Sequence, residues 1–398
     1  MRVLVVGGGF AGAMAAVRLA GRAKGRVDVT VVNPRAAFVN RIRMHQVAVG
    51  RTIPYPSLPS LLGSGVTFVE GYVTALDPEM GRAEVSGASG IRTVSFDRVI
   101  LATGSTTERA PIAGHEHVFG VGDIDAARRL RPVLAGLREG STTTVVGGGL
   151  TGLETVAEIA ESRPDLNVRL VTAGEVGGWF DGRGEEYVRG TLRDLGVEAR
   201  GGVRVRAAEP GRLSLDDGTE LPSDLTVWCG GFAAPPLARK SGIAVDEQGA
   251  VLTDAALRSV SHPSVLAVGD SGHAPGPHGG RYSMSCQFAF PSGAHAADVL
   301  LREALDEDRG ENDADALDLG FLGRCVSLGR RAAVMQLTDK EDDATGRPAV
   351  TGRTAVMIKR IQVAGMAAAV SSERRLPGMV RWPKAERATA RDAQTVAG

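Results

Sequence analysis

Three glycines near the start of the chain have the spacing needed to hold a pyrophosphate. Gly7, Gly9 and Gly12 follow the G-x-G-x-x-G pattern, after an apolar run over residues 3–6 and before a small-residue segment over 13–23. The run has the composition of a buried strand, and the segment that of a helix. The first glycine permits a tight turn, the second lets the backbone approach the phosphates, and the third allows close helix packing. A glycine turn without a ligand is the alternative interpretation.

The same pattern occurs a second time in the middle of the chain. Gly147, Gly149 and Gly152 repeat the spacing between an apolar strand over residues 143–146 and a helix over 153–161. Two such patterns in one chain are far more specific than one. They indicate two nucleotide ligands, or one nucleotide-binding fold used twice.

Both patterns lack the acid that commonly holds a ribose at the end of the next strand. A strand over residues 27–32 ends at Asn33, which can donate and accept hydrogen bonds but carries no charge. The strand after the second pattern, over residues 168–171, ends at Thr172, and Glu175 comes slightly late. No arginine stands at that tip either.

Further candidate ligand-binding residues follow other predicted strands. They are Thr103 and Gly104 after residues 93–101, Gly230 after 225–228, and Gly269 and Asp270 after 264–268. The carboxyl ends of parallel strands form the edge where α/β sheets bind ligands. Asp270 could accept hydrogen bonds from sugar or ribityl hydroxyls, although aspartate also caps turns and helices.

A basic segment over residues 35–50 lies close to the first predicted nucleotide edge. It contains Arg41, Arg43 and His45. One interpretation is a solvated basic loop; the other is a pyrophosphate contact or a lining of the active site, with Arg41 as the stronger candidate. No cysteine pair lies in this segment, which excludes a dithiol relay to a disulfide substrate here.

Composition and length argue against several classes of protein. The 398 residues predict two or three domains, and 46 Lys and Arg balance 46 Asp and Glu, so a basic nucleic-acid footprint is absent. The three cysteines are far apart, which suits a reducing compartment, and no metal-ligand spacing occurs. No apolar run is long enough to span a bilayer as a helix. Because the sequence begins with a core strand, we expect no signal peptide and a cytoplasmic protein.

These motifs together resemble the flavoproteins with two dinucleotide-binding domains, over nearly the whole chain. The segments that carry the resemblance are VVGGGFAG, TVSFDRVILATGS, VVGGGLTGLE, TVWCGG and VLAVGD. Within that superfamily the chain is most similar to type II NADH dehydrogenases and their relatives, through IRMHQVAVG, CQFAFPSGAHAAD and FLGRCVSLGRR.

The resemblance implies an α/β fold with two Rossmann-like dinucleotide-binding domains, for FAD and NAD(P)H, and a smaller C-terminal α+β domain. The expected division is an FAD domain over 1–108 and 238–304, an NAD(P)H domain over 109–237, a linker over 305–318, and a C-terminal domain with a polar tail over 319–398. We expect a helix over residues 292–303 that begins just after Pro291.

The resemblance also assigns ligands to residues. The expected FAD-binding residues are Gly7, Gly9, Phe10, Ala11, Gly12, Asn33, Arg41, Thr103, Gly104, Gly269, Asp270 and Gln287. The expected NAD(P)H-binding residues are Gly147, Gly149, Leu150, Thr151, Gly152, Glu154 and Gly230. Asp270 inherits the ribityl contact, Glu154 a place near the nicotinamide, and Gln287 a place near the flavin pyrimidine. Glu154 and Gln287 are the expected catalytic residues, and the choice between NADH and NADPH stays open.

Two departures from the family pattern affect the electron acceptor and the membrane. Quinone-reducing members carry A-Q-x-A-x-Q beside the flavin, whereas the segment CQFAFP keeps Gln287 and places Pro291 at the second glutamine. Membrane-bound members end in amphipathic helices, whereas Pro377, Gly378 and Pro383 interrupt any helix near this end. We therefore expect at most peripheral contact with the inner face of a membrane.

The expected function is hydride transfer from NAD(P)H to FAD, followed by electron transfer to a small organic acceptor, with a quinone as the first choice. The alternative is a biosynthetic flavin oxidoreductase acting on a small quinone-like or polycyclic metabolite, which Asn33, Thr172 and the missing second glutamine favour. A third hypothesis is a nucleotide-sensing flavoprotein whose redox state changes its partners. A homodimer is compatible with each of these.

Overall fold

The described residues contain two parallel sheets. The central strand of each sheet is the one that precedes a glycine pattern. The structure is a computed structural model that describes residues 1–106, 110–276, 280–305, 316–342 and 344–385. The end of the polar tail and most of the predicted linker lie outside these residues, as does the predicted boundary between residues 108 and 109.

The helices and strands follow one another along the described residues. The strands are β1 (Arg2–Val6), β2 (Asp28–Asn33), β3 (Val66–Glu70), β4 (Tyr72–Asp77), β5 (Arg82–Gly87), β6 (Gly90–Ser95), β7 (Arg98–Leu101), β8 (Val118–Gly120), β9 (Thr142–Val146), β10 (Asn167–Val171), β11 (Glu198–Arg200), β12 (Val205–Glu209), β13 (Arg212–Leu215), β14 (Glu220–Pro222), β15 (Leu225–Trp228), β16 (Val251–Leu252), β17 (Val265–Ala267), β18 (Gly272–His273), β19 (Gly323–Leu328), β20 (Ala332–Leu337) and β21 (Ala349–Thr351). The helices are α1 (Phe10–Arg22), α2 (Met44–Ala48), α3 (Leu58–Leu62), α4 (Ile124–Ala135), α5 (Leu150–Ser162), α6 (Arg183–Asp194), α7 (Leu237–Lys240), α8 (Cys286–Ala304) and α9 (Gly352–Arg375).

The two large sheets have the Rossmann-like arrangement that the motifs predict. The first has the order β17-β7-β1-β2-β3 and the second β11-β10-β9-β15-β8, with parallel pairs throughout. β1 and β9 lie inside their sheets, and four of the five residues of each strand are buried because both faces are covered. A small antiparallel sheet, β19-β20-β21, joins α9 to form the C-terminal part. The predicted α/β fold class is therefore confirmed.

Close packing of α1 against α8 brings the starts of both helices to one edge of the first sheet. A Cβ atom on Gly293 would lie 2.2 Å from the carbonyl oxygen of Ala11, so only glycine permits this approach. Small buried residues continue the contact along both helices. α8 thereby places its first residues beside the carboxyl ends of β1 and β17.

Several predicted element limits are wrong. The helix expected over residues 292–303 begins at Cys286, because the Ser285 side chain accepts a hydrogen bond from Phe288 N at 3.2 Å and caps it there. Pro291 lies inside this helix, where its missing N–H removes one backbone bond. The strand expected over 93–101 divides into the end of β6 and the whole of β7.

The end of the chain also differs from the prediction. Pro377 and Gly378 follow the last turn of α9, a helix of 24 residues, so they end this helix and do not divide it. The sequence analysis missed α9 because its apolar residues do not fall on one face. Among the described helices, none is both long and apolar enough to cross a membrane.

A buried ion-pair network fastens the turn after α9 to the first sheet's helices. Arg18 on α1 donates to Asp298 on α8 at 2.9 Å and lies 3.3 Å from Glu373 on α9. Glu373 is fully buried, and its carboxylate also accepts the N–H groups of Gly378 and Val380. The Glu373 carboxylate therefore pairs with the backbone N–H donors of the turn and with the Arg18 guanidinium.

We predict that Glu373→Ala lowers the free energy of unfolding by about 3 kcal/mol, the order observed when one partner of a buried pair is removed. Chemical denaturation of the FAD-loaded protein, followed by tryptophan fluorescence, measures the change. Glu209→Gln, which alters the exposed pair with Arg212, is the control and should leave the midpoint unchanged. Equal midpoints for the two variants would show that Glu373 does not fasten this turn.

Candidate functional site

The N-terminus of α1 forms a cradle of unpaired backbone N–H groups. Gly9 is its N-cap, no side chain caps it, and no acidic residue lies in the first turn. A Cβ atom on Gly9 would meet nothing within 4 Å, whereas one on Gly7 would lie 2.3 Å from Ala102 O and one on Gly12 1.9 Å from Gly7 O. The turn is therefore closed on the protein side and open where an anion would lie.

The N-terminus of α5 repeats this geometry. Gly149 is the uncapped N-cap, with open space at its Cβ position and no acid in the first turn. A Cβ atom on Gly147 would lie 2.8 Å from Gly230 N, and one on Gly152 would lie 1.8 Å from Gly147 O. Both helices begin directly after the second glycine, at Phe10 and Leu150, three residues earlier than predicted. Ala11 and Thr151 therefore belong to the first turns.

The places where a ribose-binding acid would be expected, at the ends of β2 and β10, hold the uncharged residues Asn33 and Thr172. The Asn33 side chain accepts a hydrogen bond from Gly8 N at 2.9 Å and donates one to Arg35 O at 2.8 Å. At the corresponding place in the second sheet, Thr172 packs against Gly148. Both residues order their loops, and a contact of Asn33 with a ribose stays a prediction.

Asp270 lies at the edge of the first sheet in a polar cluster. Its carboxylate accepts a hydrogen bond from the Ser105 hydroxyl at 2.6 Å and lies 3.8 Å from the Arg41 guanidinium. Arg41 also donates to the carbonyl oxygens of Ser105 and Gly122, at 2.5 and 2.8 Å. Arg41 is therefore a fixed part of this edge and not a solvated loop residue.

Serines that the sequence analysis did not single out complete the cluster. The Ser271 hydroxyl accepts a hydrogen bond from Gly104 N at 2.9 Å and lies 3.1 Å from the Thr103 hydroxyl. The Ser292 hydroxyl accepts one from Gly269 N at 2.9 Å. Ser105 and Ser271 directly follow predicted residues, and this adjacency was the signal available in the sequence.

Glu154 on α5 is buried in a second polar cluster. One carboxylate oxygen accepts hydrogen bonds from the backbone N and the hydroxyl of Ser327, at 3.1 and 3.0 Å, and from the Lys359 ammonium at 2.8 Å. The other oxygen lies 3.7 Å from Nδ1 of His45 on α2. The carboxylate thus joins α5 to α2, β19 and α9.

Charge and burial set the protonation of this cluster. Burial raises the pKa of Glu154, but Lys359, His45 and the Ser327 N–H outweigh it, and the pKa falls below its usual value. Burial lowers the pKa of His45 despite the attraction of Glu154. The pKa of Lys359 is raised, because the carboxylate outweighs the burial that opposes it. The result is an ionised Glu154–Lys359 pair beside a neutral imidazole.

Gln287, Cys286 and Cys325 lie near the C-terminal sheet, whereas Cys229 follows β15 in the second parallel sheet. The Gln287 amide donates to Gly323 O at 2.6 Å, which joins the first turn of α8 to β19. All three cysteines are free, and burial raises the pKa of each thiol, that of Cys229 to about 12 and that of Cys325 to about 11. Their thiols are therefore protonated at neutral pH and poorly suited to act as nucleophiles.

The structure thus brings the predicted residues together in two groups, one around the first cradle with Asp270 and one around the second cradle with Glu154. Lys359 and Ser327 were missed. The sequence signal that could have identified Lys359 is the position of a lysine within a largely apolar run. Among the described residues, no group of three or more histidines, cysteines and carboxylates could hold a metal ion.

We predict that Lys359→Met lowers the free energy of unfolding by about 3 kcal/mol, because it leaves a buried carboxylate without its cation. Glu154→Gln combined with Lys359→Met should be less destabilised than Lys359→Met alone. Since the folded-state pKa of Glu154 is lowered, its stabilising contribution is present above about pH 4.3 and is lost as the pH falls through the lowered value. Denaturation of all forms at several pH values tests this, and additive losses would contradict the coupling.

Comparisons with known proteins agree with this geometry. The family model of the pyridine nucleotide-disulphide oxidoreductases matches residues 1–293. An NADH dehydrogenase-like protein of Mycobacterium tuberculosis is 33% identical over 390 residues, which cover 90% of this chain and 94% of that protein. An internal alternative NAD(P)H-ubiquinone oxidoreductase of Arabidopsis thaliana is 25% identical, over 86% of this chain and 76% of its own.

A solved structure extends the likeness to the whole fold. NDH2 from Plasmodium falciparum in complex with NADH has a TM-score of 0.75 and 14% sequence identity, and the match covers 95% of this chain and 99% of that one. At this identity the likeness shows the fold alone. Together with the family match and the two cradles, it identifies the chain as a member of the pyridine nucleotide-disulphide oxidoreductase family, an FAD-dependent NAD(P)H oxidoreductase of the type II NADH dehydrogenase-like kind.

Proposed function

We propose that this protein passes electrons from NAD(P)H through FAD to a quinone. The observation that carries the choice of an organic acceptor is the state of the cysteines. All three are free, far apart in sequence and held as protonated thiols, which does not suit a dithiol relay to a disulfide substrate. The quinone is supported by the Arabidopsis relative, whose name gives ubiquinone as its acceptor.

FAD fits the first cradle and the Asp270 cluster. The free N–H groups at the start of α1 would hold the pyrophosphate, and Asp270 would accept hydrogen bonds from the ribityl hydroxyls. Arg41 and Ser105 hold the Asp270 carboxylate in place at the strand edge. When bound, FAD supplies the chemistry of accepting a hydride and releasing electrons.

NAD(P)H fits the second cradle. The start of α5 would hold its pyrophosphate, and Glu154, one turn further along, would place the nicotinamide. Ser327 and Lys359 fix the carboxylate, so the residue can act by position without moving. The neutral Thr172 at the ribose position favours neither NADH nor NADPH.

The domain boundaries and the ligand assigned to each domain are also part of this proposal. Residues 1–108 and 238–304 would bind FAD, residues 109–237 would bind NAD(P)H, and residues from 319 on would line the acceptor side with Gln287. A small quinone-like or polycyclic metabolite is a second candidate acceptor. Pro291 favours it, because a ring inside α8 stands where quinone-reducing relatives place their second glutamine.

The two cradles can be separated by a matched pair of variants. Both Gly9 and Gly149 have negative φ angles and open space at the Cβ position, so valine fits the protein and clashes only with a bound pyrophosphate. We predict that Gly9→Val loses most of its FAD. Gly149→Val should stay yellow and be bleached by dithionite, but about 10²-fold more slowly by NAD(P)H, the order for a misplacement of about 1 Å.

Absorbance of the purified variants and rapid-mixing measurement of flavin bleaching give both results. If Gly149→Val lost FAD, or was bleached at the wild-type rate, the assignment of the two cradles would be wrong. Gly365→Ala, at an exposed position of α9 with open space at the Cβ position, is the control for handling and purification.

A further prediction concerns the acceptor route. Serine at both Cys286 and Cys325 should leave flavin bleaching by NAD(P)H and its recovery with a soluble ubiquinone analogue unchanged. Loss of either step with FAD still bound would show that a thiol carries electrons, and would exclude direct reduction of the quinone.

A further inference from the structure

Reduction of a quinone requires a proton that NAD(P)H does not supply. NAD(P)H gives up a hydride, which is two electrons and one proton, whereas a quinone takes up two electrons and two protons to form the quinol. One proton per turnover must therefore come from water. This inference rests on the proposed function and concerns how the proton enters.

The charged pair nearest to the second cradle is closed off from water. The side chains of Glu154 and Lys359 are only 8% and 13% exposed. Ser327, Lys359 and His45 surround the Glu154 carboxylate. A proton that reaches this pair has to pass through protonatable groups or ordered water.

One face of α5 carries carboxylates at helical spacing. Glu158 follows Glu154 by one turn, and Glu161 lies at the outer end, where it accepts a hydrogen bond from Arg330 N at 2.7 Å. α2 and the residues after it run along this face, because His45 lies opposite Glu154 and Arg51 Nε lies 3.5 Å from Glu158. The Arg51 side chain is 43% exposed and that of Glu158 only 2%, so this row leads from solvent inward.

Nε2 of His45 is a buried polar atom on this row that makes no hydrogen bond with the described residues. Oε1 of Glu158 faces Arg51 Nε at 3.5 Å, a distance too long for a strong hydrogen bond. Buried polar atoms are almost always paired with protein or with ordered water. A bound water is the partner that His45 Nε2 lacks.

We propose that Glu158 is a relay residue that carries a proton from the surface at Arg51, through ordered water and His45, to the buried Glu154–Lys359 pair. In each passage Glu158 binds a proton from water on the Arg51 side and releases one to the imidazole side. The pair would pass one proton on to the quinone for each proton that enters at Arg51, and that proton leaves in the quinol. No bond other than O–H and N–H forms or breaks in the relay, and no electron moves along it.

The charges around the row suit this role. Burial raises the pKa of Glu158, as does Glu161, while Arg51 and Arg330 oppose the rise without cancelling it. His45 faces Glu154, Lys359 and Arg43, and its pKa is lowered, so its ring is neutral and can accept a proton. A carboxyl group that binds protons more tightly than usual can exchange one with a neutral imidazole through ordered water at physiological pH.

The first test reads the proton on Glu158 without any turnover. Difference infrared spectra of the FAD-loaded protein between about pH 6 and pH 8, above the range in which ordinary carboxyl groups titrate, are recorded in H₂O and D₂O and report carboxyl groups of raised pKa that exchange their proton. Wild type and Glu209→Gln, the control at an exposed glutamate, should show a protonated-carboxyl band that shifts in D₂O. Glu158→Gln should lack it. The same band in Glu158→Gln would overturn the proposal.

The second test separates the two half-reactions by rapid mixing. Bleaching of the flavin by NADH needs no proton from water and should be unchanged in Glu158→Gln. Its recovery with a soluble ubiquinone analogue should slow by about 10-fold or more, below the ~10²–10⁴-fold typical of a group that transfers a proton at the reacting atom. Glu158→Asp should recover part of the rate, and Glu209→Gln should match wild type.

The outcomes distinguish this inference from the proposed function. Equal slowing of both half-reactions, or wild-type recovery in Glu158→Gln, would overturn the relay while leaving quinone reduction intact. If the wild-type flavin were bleached by NADH and never recovered with the quinone, the proposed function itself would fail and the relay with it.

Discussion

The buried carboxylate of Glu154 is the constraint on which the second half of the site depends. A lone carboxylate at this depth would be protonated or would destabilise the fold, because removing a charge from water costs several kcal/mol. Ser327 and Lys359 offset that cost with three short contacts. β19 and α9 therefore have to lie against α5, and the C-terminal part of the chain is fixed to the second cradle by charge as well as by apolar packing.

The two cradles show one local solution used twice in the same chain. In both, a glycine with positive φ ends the strand, an open glycine caps the helix, and a third glycine lets helix and strand touch. The surroundings differ. Asp270, Arg41 and Ser105 lie at the edge of the first sheet, whereas Glu154 and the C-terminal residues lie near the second. The common part suits a pyrophosphate, and the differing parts would decide which dinucleotide each cradle holds.

Much of this could be predicted from the sequence. The glycine spacing specifies strand, turn and helix within a dozen residues, and runs of β-branched and aliphatic residues such as those in β1 and β9 specify buried parallel strands. The fold class and the family followed from these local signals. The start of α8 was misplaced because proline was given more weight than the Ser285 cap, and α9 was missed because its apolar residues do not fall on one face. Lys359 is more than 200 residues from Glu154 in the sequence, and only the folded structure shows their contact.

The claim that NAD(P)H delivers electrons through FAD to a quinone is tested most directly by an anaerobic titration of the wild-type protein. We expect one equivalent of NADH or NADPH to bleach the flavin fully, and one equivalent of a soluble ubiquinone analogue to restore its absorbance with formation of the quinol. A flavin that is bleached by the nucleotide but stays bleached in the presence of the quinone would contradict the account.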